Sequence, residues 1–220
     1  MKNLFPTFIF ALIFSIYSCA QQKQEPVPTI QPNKTTMSEQ AKLDTVTLGG
    51  GCFWCTEAIY QRLNGVVSVA SGYSGGQIAN PTYKEVCSGL TGHAECTQIT
   101  FDANVVPLAQ VLEVFFKTHD PTTVDRQGND VGTQYRSVIF YKNEEQKKVA
   151  EDIKNGLDKS GAFSKPIVTE IVPLTTFYKA EDYHQNYYNE NKSSNSYCSI
   201  VIVPKIEKFE KYFKDKLKKE

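Results

Sequence analysis

No charge surplus of either sign marks this sequence: its 220 residues carry 24 Lys plus Arg against 24 Asp plus Glu. Without a basic excess it lacks the electrostatic footprint of a nucleic-acid binder, and without an acidic excess it is not a self-repelling, disordered chain. Apolar runs are short. The longest, Leu4 to Tyr17, is broken by Pro6, Thr7 and Ser15 and is too short to span a bilayer as a helix. There is no internal repeat, and the six cysteines (Cys19, Cys52, Cys55, Cys87, Cys96 and Cys198) lack the spacing of a disulfide framework. What is present is 40% hydrophobic and 12% aromatic, which suits one compact core in a chain long enough to bury it.

The chain divides by composition. Lys2 followed by the Leu4 to Tyr17 run reads as a signal peptide over residues 1–18. Ile16-Tyr17-Ser18-Cys19 resembles a bacterial lipoprotein cleavage box, with Cys19 as the lipidated first residue of an exported protein anchored on the periplasmic or outer side. Tyr17 departs from the usual small or aliphatic residue, so simple cleavage and an uncleaved anchor stand beside lipidation. Residues 19–40 are rich in Gln, Pro, Lys, Thr and Ser and read as a flexible tether. The remaining residues, 41–220, form the domain.

Within the domain, Thr45 to Leu48 reads as a strand entering Gly49-Gly50-Gly51, and a helix opens near Cys52 and ends at Asn64-Gly65. Val66 to Ala70 is a strand and Gly72 to Pro81 a loop. In the strand Cys96 to Phe101, alternation puts Glu95, Thr97, Ile99 and Phe101 on one side, so a carboxyl starts an apolar face. Pro107 opens a helix that ends near His119-Asp120-Pro121. A polar loop over 125–132, a strand Ser137 to Tyr141, a charged helix Glu144 to Asp158 and a strand Ile167 to Pro173 follow. Glu181 to Asn189 and Glu207 to Lys218 read as helices, with Cys198 after an Asn/Ser-rich, mobile stretch. Irregularly alternating elements of this kind give an α/β or α+β fold, two layers with helices packed on a sheet.

The candidate chemistry gathers at Gly51-Cys52-Phe53-Trp54-Cys55. A thiol at a helix N-terminus meets unpaired N–H groups and the positive dipole end, which favour the thiolate over a thiol of ordinary pKa ~8.5. Glu95 is the candidate acid. An exposed glutamate at ~4.3 cannot donate a proton at neutral pH, whereas one buried against apolar neighbours can.

Gly-Cys-Phe-Trp resembles the signature of the A-type peptide methionine sulfoxide reductases. Gly72-Tyr73-Ser74-Gly75-Gly76, Asn80-Pro81-Thr82-Tyr83, Val86-Cys87-Ser88-Gly89, Gly92-His93-Ala94-Glu95 and Gly132-Thr133-Gln134-Tyr135-Arg136-Ser137 follow in the family's order. The resemblance covers roughly residues 44 to 210 and implies a ferredoxin-like core with a mixed sheet and extra loops. It also implies reduction of the S epimer of methionine sulfoxide, free or in oxidised proteins, without cofactor or metal. Cys52 would attack the sulfur and end as a sulfenic acid while Glu95 protonates the oxygen. Tyr83 and Tyr135 would hydrogen-bond that oxygen, and Phe53 and Trp54 would wall the slot for the methyl group, unless they are plain core aromatics. Asp130 would hold the site or a water, a turn-forming role being the alternative.

The resemblance further implies that Cys198 condenses with the sulfenic acid, with Cys55 as the alternative, and that a thioredoxin-type dithiol protein resets the disulfide. Cys87 and Cys96 are expected to be structural small hydrophobes, and His93 and His184 to make structural hydrogen bonds. The chain is expected to act as a monomer. Two rival readings remain: a thioredoxin-like disulfide exchanger using Cys52 and Cys55, and a zinc module built on Cys52, Cys55, Cys87 and Cys96, whose second pair is poorly spaced for zinc.

Overall fold

The computed structural model describes residues 40–219. The expected signal peptide, Cys19 and all of the expected tether except Gln40 lie outside the described residues. Six strands form one sheet in the order β7-β6-β1-β3-β2-β8. Strand β1 (Leu43–Gly50) leads into helix α1 (Phe53–Tyr60), which crosses over to β2 (Val66–Ser74). Helix α2 (Tyr83–Cys87), β3 (Ala94–Asp102) and α3 (Leu108–Thr118) follow, then a small hairpin of β4 (Arg126–Gln127) and β5 (Asp130–Val131) and the strand β6 (Ser137–Tyr141).

Strand β1 is antiparallel to both β3 and β6, and β2 is antiparallel to β3. The unit β1-α1-β2-β3-α3-β6, with spatial order β6-β1-β3-β2, is two split βαβ units, the ferredoxin-like arrangement. Helix α4 (Glu144–Ser160) and β7 (Glu170–Pro173) extend one edge, where β7 runs parallel to β6 and makes the sheet mixed. On the other edge β8 (Tyr178–Lys179) pairs with β2. The chain closes with α5 (Tyr187–Asn191), a single π-helical turn at Cys198–Ile202 and α6 (Val203–Tyr212).

The main core lies between the sheet and helices α1, α3, α4 and α6, with Leu48, Ile99, Phe101, Leu112, Phe116, Ile139 and Phe209 buried together. Helix α3 shows why a stripe suffices: its Val111, Leu112, Val114, Phe115 and Phe116 are buried, and Pro107 stands as its N-cap. A second cluster gathers Cys52, Phe53, Cys55, Tyr73, Cys198 and Ile202 where α1 meets the C-terminal segment.

Several elements differ from the sequence reading. Strand β2 runs through Gly72 to Ser74, a stretch expected to be loop for its glycines. A Cβ at Gly72 would lie 2.4 Å from both the Phe177 ring and the Tyr178 carbonyl oxygen, so glycine here admits β8 rather than ending β2. Helix α2 was missed although Thr82 and Glu85 form a capping box. The expected helix over 181–189 is broken, because Asn186 takes φ +53 and its backbone N–H donates to the buried Glu57 carboxylate at 2.8 Å. The terminal helix is α6, starting earlier with Pro204 in its first turn. The residues after it pair instead, Leu217 bridging to Leu63.

Candidate active site

Cys52 is the N-cap of α1, delivered there by Gly51, whose φ of +92 turns the chain out of β1. A side chain at Gly51 would also strike Gln127 at 2.6 Å. The helix terminus expected from the sequence is therefore present, but the thiol is only 6% exposed. Burial is the largest influence on it and raises its pKa; the adjacent Cys55 and the Glu95 carboxylate add to the rise. The nearby Tyr197 hydroxyl works the other way. Desolvation thus opposes the dipole at this helix start, an effect that the expectation of a favoured thiolate did not include.

The carboxyl expected at the start of an apolar face is there. Glu95 is 1% exposed, and its Oε2 accepts a hydrogen bond from the Phe53 backbone N–H at 3.1 Å. Acid and nucleophile are therefore tied through a single peptide unit. Burial raises the Glu95 pKa to about 8 against the opposing pull of that N–H, with the Asp130 and Cys55 charges adding to the rise. At pH 7 such a group is protonated and able to donate.

Around this pair stands an aromatic wall. The Phe53 ring is buried, 5.8 Å from Tyr73, 6.5 Å from Tyr83 and 5.1 Å from His184, centroid to centroid. Trp54 is partly exposed and stacks on Tyr187 at 3.6 Å and 6°, with the Tyr197 ring edge-on at 5.9 Å. Its indole N–H donates to His184 Nδ1 at 3.1 Å, which fixes the ring plane. Tyr83 and Tyr135 pack partly buried on the same cluster. Burial first, then the Cys87 hydrogen bond for Tyr83 and the Glu95 charge for both, holds their hydroxyls protonated well above the ordinary phenol range. Both remain hydrogen-bond donors at any physiological pH.

Cys55, in the first turn of α1, is buried against Cys52, and its backbone N–H donates to the Cys52 carbonyl at 3.1 Å. Its thiol is lowered to about 7, chiefly by a hydrogen bond from Cys52, against the effect of burial. The two sulfurs form a coupled pair that holds one negative charge readily and resists a second. Cys198 is fully buried at the start of the π-helical turn, not in a mobile stretch, and burial raises its thiol. Asp130, from the β4–β5 hairpin, accepts a 2.7 Å hydrogen bond from the Tyr197 hydroxyl and so clamps the residue next to Cys198.

The segment 44–217 matches the family model described as peptide methionine sulfoxide reductase. The chain belongs to that family. It is 56% identical over 176 residues to the peptide methionine sulfoxide reductase MsrA of Saccharolobus solfataricus, covering 80% of this chain and 98% of that one. Among solved structures, Mxr1 from Saccharomyces cerevisiae in reduced form superposes with a TM-score of 0.65 at 36% identity, covering 74% and 93% of the two chains. The methionine sulfoxide reductase A of Corynebacterium diphtheriae gives 0.63 at 34%, covering 71% and 79%.

In this reductase-family chain the sequence-named residues Cys52, Phe53, Trp54, Tyr83, Glu95, Asp130 and Tyr135 surround one centre. Cys96 is buried on the opposite face with Val138 and Phe140, as befits a structural small hydrophobe, while Cys87 is exposed at the end of α2 and does not serve as one. The four thiols of the zinc reading therefore do not converge. His93 and His184 make the structural hydrogen bonds expected of them, His93 Nδ1 accepting from the Gly76 N–H. Sequence reasoning missed Tyr197, Glu57 and Lys205. Tyr197 had a signal, its place beside Cys198, whereas Glu57 and Lys205 acquire partners only through packing.

Proposed function

We propose that the chain is a peptide-methionine (S)-S-oxide reductase, acting on methionine-S-sulfoxide in proteins and in free form. The observation that carries this is the buried, protonated Glu95 hydrogen-bonded to the peptide unit that follows Cys52. A sulfoxide sulfur becomes electrophilic as its oxygen takes a proton. The Cys52 sulfur attacks it, Glu95 supplies the proton, methionine leaves, and the oxygen stays on Cys52 as a sulfenic acid. Tyr83 and Tyr135 donate to the oxygen as charge develops on it. Trp54 offers the apolar surface for the methyl group, held in place by Tyr187 and His184.

A second thiol then condenses with the sulfenic acid and releases water. Cys198 and Cys55 are both buried in helical turns, and Cys55 is favoured because its charge is shared most directly with Cys52. The resulting disulfide is one that a thioredoxin-type dithiol protein can reset by exchange. A thioredoxin-like exchanger would use Cys52 and Cys55 but leave a protonated buried Glu95 without a part, so this reading is not favoured.

The export reading belongs to the same proposal. The apolar run before Cys19 supports a signal peptide over 1–18, and Cys19 carries the lipid that holds a monomeric enzyme outside the cytoplasm. There a membrane-delivered dithiol relay resets it. Metabolic lipid labelling tests this, and an unlabelled Cys19 overturns it. The activity itself is tested by turnover of separated methionine sulfoxide epimers with dithiothreitol. Reduction of the S epimer by wild type and none by Cys52→Ser is expected; equal rates in the two would end the reading.

A further inference from the structure

We propose that Lys205 is a positioning residue for the second half of the cycle: its ammonium holds Cys55 as the thiolate that attacks oxidised Cys52. This rests on the reductase reading above. Lys205 lies in the first turn of α6, partly buried, and lines with Cys55, Thr56, Phe115 and His119 a cavity of about 10 Å³ between α1, α3 and α6. That volume is at the lower limit for a single water, so the two side chains border one nearly water-free gap. The Lys205 charge pulls the Cys55 thiol down. No carboxylate among the described residues lies within 4.0 Å of its Nζ to compete for it.

Titratable groups reach Cys55 from four elements. Cys52 lies on α1 itself, Glu95 comes from β3, Tyr197 and Cys198 from the turn before α6, and His119 from the end of α3. His119 is lowered to about 4 by burial and is neutral, its Nε2 within 2.7 Å of Ser137 Oγ. Glu95 is protonated at neutral pH. Lys205 is thus the one cation facing this sulfur among the described residues. After the hydrogen bond with Cys52, and against burial, it contributes to the lowering of Cys55 to about 7.

In the step itself the Cys55 thiolate attacks the Cys52 sulfur, the S–S bond forms and the S–O bond breaks. Hydroxide leaves as water with one proton, equal to the proton the Cys55 thiol gave up. The sulfenic acid is reduced and Cys55 oxidised, and no further reagent is needed.

The size of the effect follows from two opposed terms. Without the ammonium the thiol rises part of the way from about 7 toward ~8.5; at that limit its thiolate fraction at pH 7 falls roughly 15-fold, but each thiolate becomes roughly fivefold more nucleophilic at a Brønsted slope of about 0.45. Removing the cation therefore slows condensation by up to roughly threefold at pH 7 and accelerates it at high pH, with the profiles crossing no higher than about pH 8.

The test treats the reduced full chain with one equivalent of a peptide methionine-S-sulfoxide, without reductant, and follows disulfide formation by acid quench and mass spectrometry from pH 6 to 9.5. Lys205→Met is expected to show the crossing, Lys205→Gln to show it too should the first variant fail to fold, and Lys205→Arg to follow wild type. Profiles of the neutral variants that parallel wild type at every pH would overturn the proposal, as would a first disulfide joining Cys52 to Cys198. Methionine released by wild type in the same experiment reports on sulfoxide reduction separately, so its absence defeats the reductase reading and not the role of Lys205 alone.

Discussion

Glu95→Gln keeps the shape of the side chain and an oxygen to accept the Phe53 N–H, yet removes the acidic proton, so it isolates what the buried carboxyl does. With a pKa of about 8, roughly nine in ten molecules carry the proton at pH 7. At the exposed value of ~4.3 about one in 500 would, so burial multiplies the available acid roughly 450-fold, worth about 3.6 kcal/mol. That falls inside the ~10²–10⁴ that a positioned general acid contributes. The assay is single-turnover release of methionine from a peptide methionine-S-sulfoxide, quenched and quantified by chromatography between pH 6 and 10. Attack needs the Cys52 thiolate together with the protonated Glu95, and burial holds the thiol pKa above the carboxyl's, so the wild-type rate is expected to rise with pH up to about 8 and level off beyond it. Glu95→Gln is expected to be slower by at least roughly 100-fold at pH 7 and to keep rising past pH 8. A Glu95→Gln rate within threefold of wild type at pH 7, or a wild-type profile with no break near pH 8, would refute the reasoning.

The same carboxyl acts on stability. Its folded pKa lies above its unfolded value, so its contribution is whole below ~4.3 and is lost as pH rises through about 8, at up to about 1.4 kcal/mol per pH unit between the two. Urea titrations from pH 5 to 9 should therefore show a fall for wild type that Glu95→Gln lacks. Glu57→Ala leaves the partly buried Asn186 and Tyr187 N–H groups without the carboxylate they reach at 2.8 and 3.1 Å. It should cost ~2–4 kcal/mol and shift Trp54 fluorescence as Tyr187 loses its seat, and an unchanged spectrum would count against that support. Tyr197→Phe removes the 2.7 Å hydrogen bond to Asp130 and should raise amide exchange across 196–202 while leaving the sheet protected. Uniform exchange in the two proteins would show that Asp130 does not clamp the segment.

Periodicity and turn chemistry were enough to place the elements that pack on one face. The α3 stripe and the alternation after Glu95 each follow from side chains that must face a core, whatever that core contains. The motif order around Cys52 also made the family and the reacting residues legible. Local sequence misled where a residue's conformation answers to something distant: Gly72 looked like a loop and is the gap that admits β8, and Asn186 looked helical and is turned by Glu57 from another element.

Electrostatics lay furthest from the sequence. The Gly51-Cys52 turn and the helix start were determined by the residues themselves, because a glycine at positive φ and the helical run that follows it are local matters. Whether that sulfur is ionised, whether Glu95 keeps its proton, and whether Cys55 has a cation beside it depend on which groups the fold brings together and how much water it removes. Desolvation and charge proximity act through space, and only the packed structure decides them.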